Sequence, residues 1–230
     1  MKLPVIAEPK TEATVQAPPV TKKVNPNNKK GYLFSKRCID IIGALAGLLV
    51  LFIVFIVIGL LIKIEDPKGS IFFSQKRVGK DGKEFNMYKF RSMVSDAEAK
   101  LAELLQQNEA TGAMFKMKND PRVTKIGRFI RKTSIDELPQ LLNVLKGDMS
   151  LVGPRPPLVR EVNEYNEYQK QRLLVTPGCT GLWQVSGRSN VGFEEMVELD
   201  LTYMTTRSLM TDVTIICRTV LLLFGSKNAY

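Results

Sequence analysis

The sequence predicts an α+β protein. A membrane-inserted N-terminal helix, re-entrant by its charge pattern, precedes a mostly helical body with a small β-hairpin and interfacial amphipathic helices. Three observations point there. Residues 41–62 hold neither a charge nor a proline. Residues 69–91 hold two strand-like stretches around a glycine-bearing turn. Apolar residues recur at helical spacing through much of the remainder.

Residues 1–31 are rich in Pro, Thr, Lys, Val and Asn without an apolar period. We expect a disordered basic leader over 1–34. It is not a signal peptide, because the first long apolar core begins only around Ile41. Segment 35–64 is then the inserted helix, and 65–230 a single cytosol-facing domain. The apolar run is long enough to span, since a bilayer core needs about 20 helical residues. The flanks argue the other way. Lys22, Lys23, Lys29, Lys30, Lys36 and Arg37 precede the run, and Lys63, Lys68, Lys76, Arg77, Lys80 and Lys83 follow it. Basic flanks prefer the cytoplasmic side, and a segment that enters and returns keeps both there. Length and the missing proline favour a span; charge favours re-entry.

Gly69-Ser70-Ile71-Phe72-Phe73-Ser74-Gln75 reads as a short strand. The alternating stretch Lys83–Arg91 is its hairpin partner across Gly79–Gly82. Residues 94–107 read as an amphipathic helix, and Ile126–Leu145 carries apolar residues near helical spacing. Within it Ser134-Ile135-Asp136-Glu137 has the form of a capping box, and Gly147 then ends the helix. Phe193–Tyr203 and Val213–Phe224 are the last two helices, the latter apolar enough to lie in the interface.

A net charge of +10 implies an anionic partner: nucleic acid, lipid headgroups or phosphorylated substrates. The complete lack of histidine excludes a His-dependent triad, a His-ligated zinc and a histidine base. Three scattered cysteines, Cys38, Cys179 and Cys217, argue against a disulfide framework.

Against that background Asp136-Glu137 stands out. Its ordinary reading is a pair of acids complementing a helix start. Its functional reading is one carboxylate that attacks phosphorus or holds magnesium while the other orients it. Neighbours in sequence point apart on a helix, so separate tasks suit them better than a shared proton. Gly153-Pro154-Arg155-Pro156-Pro157 follows. Prolines on both sides stiffen the arginine, and a preorganised guanidinium suits phosphate oxygen. Lys89 and Arg91 flank Phe90 and would share one strand face as further phosphate contacts, unless that face is a solvated edge. Thr176–Arg188 packs three glycines and the only tryptophan into a short stretch that lets backbone approach a ligand, with Arg188 as a charged donor. Trp183 could instead anchor the body at a bilayer. Asp200 reads alone as an exposed helix acid.

Taken in order, these stretches resemble the bacterial sugar transferases, monotopic phosphoglycosyl transferases that use a polyprenyl phosphate. The resemblance rests on KRCIDIIGA, FSQKRVGKDGKEFNMYKFRSM, NDPRVTKIGRFIRKTSIDELPQLLNVLKGDMSLVGPRPPL, TPGCTGLWQVSGR and ELDLTY. It runs from about Ser35 to Phe224 and looks like the minimal catalytic unit. It implies transfer of a sugar-1-phosphate from a UDP-sugar to undecaprenyl phosphate with release of UMP, at the cytoplasmic face of the cell membrane. It implies Asp136 as nucleophile and magnesium ligand, Glu137 as its partner, and Mg2+ as cofactor. Lys89, Arg155, Arg188 and Asp200 fall on matching positions. The expected partners are the UDP-sugar, undecaprenyl phosphate and membrane lipid, with a homodimer left open and nucleic acid not expected. This sequence departs from the family where a serine-proline pair commonly breaks the apolar helix: Phe52-Ile53-Val54 stand there instead. Two rivals are a membrane-tethered basic module without activity, and a lipid-linked phosphatase or glycosyl transferase.

Overall fold

The structure, a computed structural model, describes residues 23–97, 99–100, 120–187 and 191–225. Arg188 and most of the 94–107 helix lie outside these residues.

The apolar run forms two helices. Helix α1 covers Lys30–Val50 and α2 covers Phe52–Glu65, with Leu51 between them at φ −91°, ψ 6° and a bend of 59°. The run expected as one re-entrant helix is therefore a bent pair, with the break at Leu51. The bend needs no proline, because the two halves pack on different parts of one body. Ala44 of α1 joins Met87, Val144 and Met149, whereas Ile58 and Ile62 of α2 join Phe90 and Ile130. Gly43 and Gly47 serve close packing: a Cβ there would lie 2.7 Å from Leu151 and 3.0 Å from Leu141 respectively. No single helix among the described residues is long and apolar enough to cross a membrane. Outward, the pair exposes Ile42, Leu45, Leu49, Val50, Phe52, Ile53, Ile56, Leu60 and Ile64.

Both ends of this pair are tied to the same body. The leader expected to be disordered through residue 34 is placed from residue 23 onward. Val24 lies in the main core, its N–H donates to Gln171, and Asn27 bonds Met204 and Arg207 through backbone and side chain. In α1 the charged residues of the entry motif point inward. Lys36 pairs with Asp212 at 3.0 Å, Arg37 donates to the carbonyls of Val144 and Leu145, and Asp40 accepts from Ser150 Oγ and Leu151 N at 2.9 Å each. Lys36 and Arg77 are therefore buried members of the two basic clusters, one from each flank. At the far end Glu65 accepts from the N–H groups of Lys125 and Ile126, and Asp66 pairs with Arg91 at 3.3 Å.

Strands β1 (Phe72–Val78) and β2 (Glu84–Phe90) form the expected antiparallel hairpin, with Phe72 opposite Phe90 and Lys76 opposite Asn86. Helix α3 (Lys125–Lys132) starts on the Thr124 cap, whose Oγ1 accepts from Gly127 N. The capping box expected at Ser134 does not form. Ser134 sits in the left-handed region at φ 56° and makes no side-chain cap, so Asp136 and Glu137 lie on a 3-10 turn, Ile135–Glu137. The regular helix resumes only as α4 (Gln140–Lys146), which ends on Gly147 at φ 91° as expected. Asn143 of α4 is fully buried and satisfies the edge of β2: its Oδ1 accepts from Tyr88 N and its Nδ2 donates to Asn86 O.

Strands β3 (Ser150–Val152) and β4 (Gly178–Thr180) form a second, parallel pair that the sequence reading missed. Here glycine is obligatory, since a Cβ on Gly178 would stand 2.0 Å from Gly153 N. Short helices α5 (Val159–Glu164), α6 (Glu167–Lys170) and α7 (Leu182–Ser186) follow. The expected terminal helices are α8 (Phe193–Thr206) and α9 (Leu209–Gly225), which pack on Val152 and Val175 through Val197, Leu201, Met204 and Ile215.

Asn143→Ala is expected to lower stability by about 1–3 kcal/mol, because it removes two part-buried hydrogen bonds to the β2 backbone, each contributing roughly 0.5–1.5 kcal/mol. Denaturant unfolding of the detergent-solubilised protein checks this; a change below about 0.5 kcal/mol would contradict it.

Candidate active site

The acidic turn faces the hairpin. Lys89, on β2, donates from Nζ to Glu137 Oε1 at 2.8 Å, with both side chains partly buried. Asp136 is 8% exposed, and its carboxylate makes no hydrogen bond or ion pair to another described residue. The two acids differ electrically. Burial pushes Asp136 up to about 6; Lys89 opposes this, the negative Glu137 adds to it, and Arg131 opposes it. Burial would raise Glu137 too, yet the charges of Lys89, Arg155 and Arg77 and the Lys89 hydrogen bond hold it down at about 2. Adjacent carboxyl groups with separated pKa values are a familiar basis for divided catalytic roles.

Arg155 is half-buried on the proline loop, and its guanidinium has no hydrogen bond or ion pair among the described residues. Two buried arginines hold its backbone. Arg77 Nη1 donates to Pro156 O at 3.1 Å and Nη2 to Gln75 Oε1 at 2.8 Å, and Nε has no partner among the described residues. Burial and the nearby Arg155 charge lower Arg77 to about 10. From the other side Arg172 Nη2 reaches Arg155 O at 3.4 Å. Gly178 N donates to Pro154 O, and Gly153 N to Thr180 O, so the strand pair carries the loop. The proline loop is thus fixed in its backbone and open at its arginine.

Four of the seven residues picked from sequence are accounted for directly. The structure brings together Asp136, Glu137, Lys89 and the backbone-clamped Arg155. It does not bring Arg91 to them. Strand β2 ends at Phe90, so Arg91 leaves the face it was expected to share with Lys89. It instead pairs with Asp66 and donates to the Asp66 carbonyl at 3.0 Å. Asp200 is not an exposed acid. It is fully buried and pairs with Arg172 at 2.6 Å, which places it behind the proline loop rather than against a ligand. Arg188 lies outside the described residues. Sequence reasoning overlooked Arg77, Arg131 and Arg172; each lies far from the acidic pair in sequence or on a helix face without a local motif.

No group of three or more Cys, Asp or Glu side chains converges among the described residues as a self-sufficient metal cage. An unpartnered Asp136 beside Glu137 nevertheless fits magnesium, which is commonly held by one or two carboxylates together with substrate phosphates. A small hollow beside Glu137 is lined also by Gln140, Arg155, Cys179 and Gln184.

Comparison with known proteins supplies the family. The bacterial sugar transferase family matches residues 31–226. The chain is 54% identical over 203 residues to galactosyl transferase CpsE of Streptococcus agalactiae, covering 86% of this chain and 45% of that protein. It is 44% identical over 207 residues to the undecaprenyl-phosphate galactose phosphotransferase of Salmonella typhimurium, covering 88% of this chain and 43% of that protein. It thus spans less than half the length of these two. The exopolysaccharide production protein ExoY of Sinorhizobium fredii is 38% identical over 200 residues, with 85% of this chain and 88% of that protein covered. On a match that takes in the acidic turn, its lysine and the proline loop together, this chain belongs to the bacterial sugar transferase family.

Proposed function

We propose that this chain transfers a sugar-1-phosphate from a UDP-sugar to undecaprenyl phosphate and releases UMP, as the initiating membrane step of a bacterial surface polysaccharide or glycoconjugate. The observation that carries this reading is the buried Asp136 carboxylate, which bonds no other described residue, beside a Glu137 that Lys89 keeps ionised. The names of relatives agree in kind: one is a UDP-galactose-lipid carrier transferase, another an N-acetylgalactosamine phosphotransferase acting on undecaprenyl phosphate.

In the first step an Asp136 oxygen attacks the sugar-bearing phosphorus. The bond from that phosphorus to the UMP oxygen breaks, UMP leaves with the electron pair, and the phospho-sugar stays on Asp136. In the second step a phosphate oxygen of undecaprenyl phosphate attacks the same phosphorus and displaces the carboxylate. The acceptor is already anionic, so a protein without histidine needs no base for it. Lys89 and Arg155 offset charge on the phosphoryl oxygens from fixed positions, where electrostatic stabilisation is most effective. Asp136 and Glu137 would hold magnesium, which when bound supplies charge neutralisation for the diphosphate.

The site belongs at a membrane. The exposed apolar faces of α1 and α2 suit lipid, and the bend lets the pair dip in and return. Both ends of the pair bond to one body, which supports re-entry over a span; in this reading both basic flanks lie on the cytosolic face with the UDP-sugar. Partners are then the UDP-sugar, undecaprenyl phosphate and membrane lipid.

Asp136 must be ionised to attack, and its raised pKa favours the protonated form, so activity is lost on the acid side. UMP release in the first half-reaction is expected to fall with unit slope on the acid side, with a midpoint at or below pH about 6, because bound magnesium would lower the value that burial raises. Glu137 remains ionised there, so no second limb is expected. Asp136→Asn is expected to lower the rate by about a thousandfold or more while the protein stays folded and membrane-bound. A variant with most of the wild-type rate, or release of UDP or inorganic phosphate in place of UMP, would sink the assignment.

Topology is tested by cysteine labelling, with Cys38, Cys179 and Cys217 replaced and single cysteines placed at Asn25 and Lys80. In intact cells an impermeant reagent is expected to modify neither. Labelling at residue 25 but not at residue 80 would mean that the segment spans.

A further inference from the structure

We propose that Gln184, with Glu137, forms a subsite that reads one hydroxyl of the UDP-sugar's sugar ring; this deepens the transferase reading above and rests on it. Gln184 lies on α7, and its side-chain oxygen Oε1 is buried without a hydrogen-bond partner among the described residues. Its Nε2 donates to Cys179 O at 3.3 Å. That contact orients the amide, because turning it over would set two carbonyl oxygens against each other. Gly181 makes room: a Cβ there would lie 2.8 Å from Oε1 and 2.5 Å from Gly153 O.

The hollow that Gln184 lines also meets Glu137, Gln140, Cys179, Met87 and Arg155, and its volume is about 10 Å³. That is room for about one water-sized group. A phosphate or a ring does not enter it; a single substituent does. Glu137 and Gln184 both line it; each carries an acceptor oxygen, and an ionised phosphate has no hydrogen to give an acceptor. The complement is an O–H group whose neighbours are phosphates held at Arg155. A hydroxyl of the transferred sugar meets that description. A ribose hydroxyl of the same donor shares the chemistry, and the test separates the two. A buried acceptor without a donor is unfavourable, so a donor that supplies the hydroxyl is favoured over one that lacks it.

The test uses the full chain in lipid nanodiscs with undecaprenyl phosphate, measuring UMP release. Donors are the preferred UDP-sugar, its single-deoxy analogues on the sugar ring, and its 2′-deoxyribose form. Gln184→Leu removes the acceptor and Gln184→Glu retains one. For wild type, one sugar-deoxy donor is expected to be at least about tenfold poorer in kcat/KM. Gln184→Leu is expected to lower kcat/KM for the parent donor by a similar factor and to erase that discrimination, leaving inhibition by UMP unchanged. Gln184→Glu is expected to retain part of it. If the erased discrimination concerns the ribose-deoxy donor and UMP inhibition weakens in parallel, the hollow reads the nucleotide and the sugar-ring assignment is overturned. If folded Gln184→Leu keeps wild-type discrimination, the subsite is overturned. Should that variant fail to fold, the wild type decides, and deoxy donors all within threefold of the parent overturn the proposal. Absence of UMP from wild type with every donor overturns the transferase reading and this subsite together.

Discussion

The contact between Lys89 and Glu137, 2.8 Å long, makes two neighbouring carboxylates unequal. Glu137 has the cation and stays ionised; Asp136 has burial and a negative neighbour, and its carboxyl rises. The division depends on the hairpin standing where it does against the acidic turn. Asn143 sets that distance by binding the edge of β2 from α4, the helix that follows the turn. Two further buried pieces serve the same end. Arg77 and Arg172 grip consecutive carbonyls of the proline loop, and Asp200 is the counter-ion that allows Arg172 to be buried there. Burying such a pair is costly, and removing one partner would leave an uncompensated charge. Its reason to exist is the position of Arg155, whose guanidinium is left open.

The helix pair is bound to this frame at both ends. Lys36, Arg37 and Asp40 lie within or beside an apolar stretch, and each reaches a group on the polar body. Glu65 and Asp66 close the other end, the first by capping α3, which leads into the acidic turn. The apolar segment and the site are thus joined through α3 and α4 rather than by a linker. Under the proposed reaction, that arrangement would bring a lipid-borne acceptor and a soluble donor to one turn of backbone.

Much of this was legible in the chain. Alternation around Gly79–Gly82 marked the hairpin, Gly147 marked the end of α4, and long apolar periods marked α8 and α9. The acidic pair and the stiffened arginine were visible because their chemistry is local. Other features depend on contacts between distant residues. Strands β3 and β4 are three residues each, too short for a periodic signal, and their partner glycines are 25 positions apart. Ser134 fits the capping pattern but adopts a left-handed backbone, because the chain must turn between α3 and α4. The break at Leu51 has no local breaker and comes from packing. Arg91 kept the right spacing from Lys89 but lies one residue past the strand end. Asp200 was legible as a family position; that its partner is Arg172 was not.

The claim that Asp136 is the attacking group is tested most directly by trapping its product. The protein would be mixed with its preferred UDP-sugar without undecaprenyl phosphate, quenched and digested with trypsin. The peptide Thr133–Lys146 holds Asp136 and Glu137 as its only acidic side chains. The account predicts a burst of UMP equal to the enzyme present, and a sugar-phosphate mass on that peptide located at Asp136 by fragmentation. No burst and no adduct, with UMP formed only once the lipid phosphate is present, would contradict it.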